Sequence, residues 1–274
     1  MKLENAGPVG RALMTAAALF GILMMPVRSF AQLSVDELEL RIHPEVTNAR
    51  TSVFQVTNDT DKPIQAMLEL QDWRRDATGA NQFLPAGTTS GSCGQHIRIF
   101  PASLRVGAHA TEPVRVSYDG DAARTCWAIV FVQANEPPKA SSNNQSSITY
   151  VMRTGVKVYV EPENAARLGD VDSVLITHMN ASATDSTQVP AIALLFHNTG
   201  QAHLKPSGAI EVRSADNQIA AKLTLEEFPI APGDVRKLVL ALPKLAPGRY
   251  VALALLDYAG SDIAAGQLEF EIPK

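Results

Sequence analysis

Among the residues able to do chemistry, Lys157 stands in the least ordinary setting. It lies in ITYVMRTGVKVYVEP (148–162), where Ile148, Tyr150, Met152, Val156, Val158 and Val160 share one parity. An extended strand places those side chains on one face and Arg153, Lys157 and Tyr159 on the other. A lysine in such a strand has two readings. Its ammonium snorkels to water from the last strand of an ordinary sandwich, or it waits for a carboxylate brought by another polypeptide that pairs with the strand. The residues alone leave both open.

Other candidate chemistry is sparse. Cys93 and Cys126 are the only two cysteines, and two thiols lack the further ligands zinc requires, so in an oxidising compartment they read as one disulfide. Closing that loop would restrain the unfolded chain by about 3.5 kcal/mol in the chain-entropy account. His43, His96, His109, His178, His197 and His203 are scattered without metal-ligand spacing, so neither a metal nor another cofactor is expected. No glycine-rich phosphate loop, nucleophile elbow or Ser-His-Asp order can be assembled, and an enzyme is not the expectation. Arg74-Arg75 and Glu226-Glu227 read as solvated faces and Trp73 as core. A net charge of −4 supplies no basic field for a nucleic acid.

The N-terminus bears on compartment. Lys2 and Arg11 precede an apolar run over 12–25, Pro26 breaks it, and Ser29-Phe30-Ala31 offers small residues where a signal peptidase reads. The run is short for a bilayer span. Residues 1–31 therefore read as a cleaved secretory signal, leaving 243 of 274 residues and a net charge of −6 once Lys2, Arg11, Arg28 and Glu4 are removed. No later stretch approaches membrane length, so no integral membrane segment is expected.

These residues must be positioned by strands. Strand-like runs at 37–42, 51–57, 64–73, 97–100, 112–118, 126–134 and 148–160 alternate with turns such as Asn58-Asp59-Thr60-Asp61 and Asp119-Gly120-Asp121. Seven short strands predict an immunoglobulin-like sandwich. The pattern breaks at 161–170 and resumes at 173–178, 189–197, 208–213, 219–224, 235–240, 248–257 and 266–272, which predicts a second sandwich. The expected division is signal 1–31, first domain 32–163 and second domain 164–274. NEPPKASSNNQSS (135–147) cannot bury a core and reads as a mobile loop beside the alternating strand.

At this point the chain resembles the PapD-like periplasmic chaperones of chaperone-usher pilus assembly, as a divergent member. WAIVFVQANEPP (127–138) resembles the family's penultimate strand and its Pro-Pro exit, and TGVKVYVEP (154–162) resembles its final strand. The resemblance implies an all-β fold of two immunoglobulin-like sandwiches set around a cleft, in the periplasm. Lys157 falls on the lysine that binds a subunit's terminal carboxylate, and Ile148, Tyr150 and Met152 fall on the apolar residues donated to the subunit. For the second cleft cation the candidate is Arg41 in LELRIHP, with Arg50 the alternative. Arg115 in PVRVSY and Asp257 in LLDYAG match two members of the family's inter-domain ion network, while Thr125-Cys126 stands where that network has a glutamate. That departure and the cysteine pair set the chain apart from the family's best-known branch.

The reading is a non-enzymatic exported chaperone holding an immature pilus or secreted subunit with an incomplete β-sandwich, by donor-strand complementation, with an outer-membrane usher among the partners the resemblance implies. The competing readings are an exported two-domain scaffold or adhesion protein of the envelope and a glycan-binding accessory domain.

Overall fold

A computed structural model describes residues 32–135 and 152–274. The expected signal, most of the expected mobile loop, Ile148 and Tyr150 lie outside the described residues.

The first half is built from β1 (Leu33–Val35), β2 (Glu39–Ile42), β3 (Thr51–Asn58), β4 (Ile64–Arg75), β5 (Asn81–Pro85), β6 (Ile97–Phe100), β7 (Ser103–Val106), β8 (Thr111–Tyr118), β9 (Cys126–Ala134) and β10 (Arg153–Val160). They make two sheets, one ordered β1-β3-β8-β6 and the other β2-β10-β9-β4-β5, with β7 also on β4. Period-two alternation decides which side chains meet between them. Phe54 and Val56 of β3, Val114 and Val116 of β8 and Val156, Val158 and Val160 of β10 are all fully buried in one core. Each such side chain contributes roughly 1.5–3 kcal/mol of apolar burial. The Cys93–Cys126 disulfide lies in the same core.

The second half comprises β11 (Gly169–Asn180), β12 (Gln188–Asn198), β13 (Ser207–Ser214), β14 (Ile219–Leu225), β15 (Val235–Ala241), β16 (Gly248–Asp257) and β17 (Ala264–Ile272). Sheets β11-β12-β15 and β14-β13-β16-β17 enclose Leu194, Phe196, Ile210, Val212, Ala254 and Leu256. The fold is therefore all-β, two sandwiches as the alternation predicts. The short strands β1, β5 and β7 were not expected; at 3 to 5 residues each is too brief to show alternation and is held by its neighbour's ladder. No helix among the described residues is long and apolar enough to cross a membrane.

One strand departs from simple alternation. In β9, Cys126, Ala128, Val130 and Val132 face the core, yet Trp127, Ile129 and Phe131 on the other face are also buried. These three join Trp73, Tyr159 and Ala231 in a second apolar cluster. Since Ala231 belongs to the second sandwich, this cluster covers the outer face of the first sandwich where the two halves meet. Trp73 is thus buried, but there and not in the sandwich core.

Candidate binding site

The outer face of the β2-β10-β9-β4-β5 sheet can be followed row by row, because side chains opposite each other in a ladder point the same way. β2 runs parallel to β10 and pairs Lys157 with Glu39 and Tyr159 with Arg41. β9 sets Ile129 beside Lys157 and Trp127 beside Tyr159. β4 adds Gln71 beside Ile129, and Trp73 and Arg75 follow on the same face. Three distant segments thereby bring Arg41, Arg75 and Lys157 to one surface.

Aromatic rings hold these cations. The Lys157 Nζ lies 4.9 Å from the Trp73 ring centroid and the Arg75 guanidinium 5.4 Å from the same ring, while Arg41 lies 5.3 Å from the Tyr159 ring. The rings are themselves fixed. Trp73 Nε1–H donates to the Ala128 carbonyl at 3.2 Å and Trp127 Nε1–H to the Trp73 carbonyl at 2.9 Å. Gly91 allows this arrangement, since a Cβ there would stand 2.1 Å from the Trp127 ring.

The second sandwich roofs the surface. Arg41, Trp73, Arg75 and Tyr159 line a recess with His203, Lys205, Pro229 and Asp234. Lys205 pairs with Glu39 at 3.4 Å. Among the described residues, no carboxylate comes within 4.0 Å of Arg41, Arg75 or Lys157. Burial, and then the neighbouring Arg75 charge, hold the Lys157 ammonium below its ordinary pKa. Burial pushes the Tyr159 phenol up, with Glu39 adding to the effect. Glu39 and Asp234 are the acidic side chains at this recess, so the cations Arg41, Arg75, Lys157 and Lys205 outnumber the carboxylates around it.

β10 also has a half-open edge. β2 covers only Lys157–Val160, so on that side Arg153–Val156 has no strand partner among the described residues. Met152, immediately ahead, is 67% exposed. Arg153 lies over the Phe131 ring at 4.0 Å, on the same outer face as Lys157.

Two expected placements need correction. Arg115 and Asp257 make no ion pair within 4.0 Å of each other. Arg115 projects outward from β8, in the sheet opposite the one that meets the second sandwich, and Asp257 instead accepts the Ala259 N–H at 2.8 Å. The halves are joined elsewhere. Glu161, at the end of β10, accepts the His203 N–H at 2.8 Å, lies 3.3 Å from the His203 ring Nδ1 and receives Arg167 at 3.3 Å. Arg50, the alternative cleft cation, donates to the Gly120 carbonyl at 3.1 Å and does not line the recess.

Arg75, Glu161 and His203 are not among the residues that the sequence places at the site. Arg75 had a signal, since its parity with Trp73 in DWRR puts both on one face. His203 had none, because only packing of the second sandwich brings it 4.8 Å from Trp127 and 4.5 Å from Tyr159.

No family model matches the sequence, and no curated protein does. Solved structures do resemble it. The crystal structure of the class 5 fimbriae chaperone CfaA superposes with a TM-score of 0.51 at 10% identity, over 88% of this chain and 100% of that one. A structure titled as a chaperone–tip adhesin complex of CFA/I fimbriae biogenesis gives 0.50 at 10% identity, over 89% and 100%. The fold is shared with these fimbrial chaperone structures. The resemblance first read from Lys157 and its flanking strand holds at the level of architecture.

Proposed function

We propose that this protein is an exported, periplasmic chaperone that holds an immature pilus or other secreted subunit by strand addition at β10. The observation that carries the reading is the edge of β10, half-open among the described residues, which runs directly into the cations Arg41, Arg75 and Lys157, none of which has a described carboxylate within 4.0 Å. An incoming strand would hydrogen-bond along Arg153–Val156 and extend the sheet. Met152, with Ile148 and Tyr150 before it, would fill the client's exposed apolar groove. Its terminal carboxylate would meet Lys157 and Arg41 through charge-assisted bonds. The chain is proposed to divide into domains at 163/164, and the disulfide fits an oxidising compartment. Likeness in fold to a chaperone solved with a tip adhesin makes a pilus subunit the first client to test, with an usher as the next partner.

The decisive experiment is Lys157→Ala. Neutralising one partner of a desolvated charge contact should weaken the complex by on the order of 2–5 kcal/mol, while the variant melts as wild type does because Lys157 lies outside both cores. Co-purification of an incomplete β-sandwich subunit with wild type but not with Lys157→Ala supports the chaperone. Equal recovery by both proteins, or unfolding of the variant, removes strand donation and leaves the envelope scaffold.

A further inference from the structure

We propose that Arg75 is a direct anion-binding residue of the cleft and that it, with Lys157, forms the principal carboxylate seat, Arg41 flanking it. The inference rests on the reading of the cleft as a receptor for a chain terminus and names the residue that gives it geometric selectivity. Arg75 and Lys157 share one support, the Trp73 indole, at 5.4 and 4.9 Å. Arg41 stands apart over Tyr159. After burial, the neighbouring Arg75 charge is the main cause that holds the Lys157 ammonium down.

Arg75 is also restrained from both halves. The indole lies under its guanidinium, and its Nη1 donates to the Pro229 carbonyl of the second sandwich at 3.4 Å. A guanidinium offers further N–H donors in a planar fork, matching both oxygens of a carboxylate, whereas an ammonium is a point charge. The buried His203 ring lines the same recess, and its Nε2 has no hydrogen-bond partner among the described residues. A carboxylate between Arg75 and Lys157 would relieve their mutual repulsion. The seat therefore selects a chain ending in a free carboxylate over one ending in an amide.

The test uses N-acetylglycine, a minimal chain terminus, with N-acetylglycinamide as its neutral counterpart, each titrated into the full-length mature protein. Side-chain resonances of the Lys157 ammonium and the Trp73 indole are followed by NMR. Wild type should respond to the acid and not to the amide. Arg75→Gln should weaken the acid roughly tenfold or more, Arg75→Lys should restore part of that loss, and Arg41→Gln should weaken it by only about two- to threefold, as the loss of a fork contact exceeds that of a flanking charge. Without any ligand, Arg75→Gln should raise the Lys157 pKa, a readout that loss of folding would not mimic. If Arg75→Gln binds the acid as wild type while Arg41→Gln loses it, the Arg75 assignment falls and the Lys157–Arg41 pair stands. If wild type does not distinguish acid from amide, the terminus reading of the cleft fails, and the assignment with it.

Discussion

Asp72 illustrates how a single residue is fitted to an environment its sequence neighbours do not announce. Its carboxylate is fully buried, and burial alone would raise its pKa. The Ser92 hydroxyl, the Thr88 and Thr89 N–H groups at 2.8 Å each and the Thr89 hydroxyl at 3.1 Å outweigh this, so the pKa is lowered. The bonds tie β4 to the loop that leads into Cys93. Because the folded pKa is depressed, this stability is fully present above the unfolded value of about 3.9 and is lost as pH falls through the folded one. Asp72→Asn should therefore destabilise the protein at pH 7 by about 2 kcal/mol. Its melting temperature should also fall less steeply than wild type's below about pH 4. Parallel acid dependence in thermal denaturation would show that Asp72 carries no such charge.

At the scale of elements, the β4–β5 hairpin is more than a sheet edge. Its turn is closed by Asp76 Oδ1, which accepts the Thr78 and Ala80 N–H groups at 2.9 and 3.0 Å. The turn then reaches the second sandwich, where the Lys237 N–H of β15 donates to the Ala77 carbonyl at 2.8 Å. Gly79 has φ +93, and a Cβ there would stand 1.3 Å from Arg236 Nη1. The guanidinium thus packs against bare backbone. Gly79→Ala should displace Arg236 and strain the turn, at a cost of about 1–3 kcal/mol. The expected result is loss of hydrogen-exchange protection at the Lys237 amide, with β9 amides unchanged. Retained protection at Lys237 would mean that the hairpin does not dock the halves.

For the molecule as a whole, Glu161 and His203 form a buried polar contact between the two sandwiches. Burial is the main cause that holds the His203 pKa down, against the Glu161 hydrogen bond and charge; Arg41 lowers it further and Glu39 raises it. Glu161 is itself held ionised, its burial outweighed by His203, with Arg167 assisting. For a base with a depressed folded pKa, the docked arrangement is favoured above the free histidine value of about 6.5 and loses up to about 1.4 kcal/mol per pH unit below it. Protonation of Glu161 at still lower pH acts in the same direction. Small-angle scattering should show the halves separating between pH 7.5 and 5.0, and His203→Phe should hold the pH 7.5 profile across that range. An identical pH response in the variant would assign the transition to other groups.

The alternating pattern by itself determined that both halves are sandwiches, that Val156, Val158 and Val160 face a core and that Arg153, Lys157 and Tyr159 face away from it. A strand with one buried face writes that face into its sequence at every second position. The cysteine pairing was equally legible, since two cysteines leave one intramolecular choice. Tertiary structure alone decided what the outward face meets. Arg41, Arg75 and Lys157 come together, and Glu161 finds His203, because strands far apart in sequence become ladder neighbours and a second sandwich packs over them. No local periodicity encodes such contacts. For the same reason the carried-over Arg115–Asp257 pair failed: each side chain suits an ion pair by type, but the sheet bearing Arg115 is not the sheet that meets the second half.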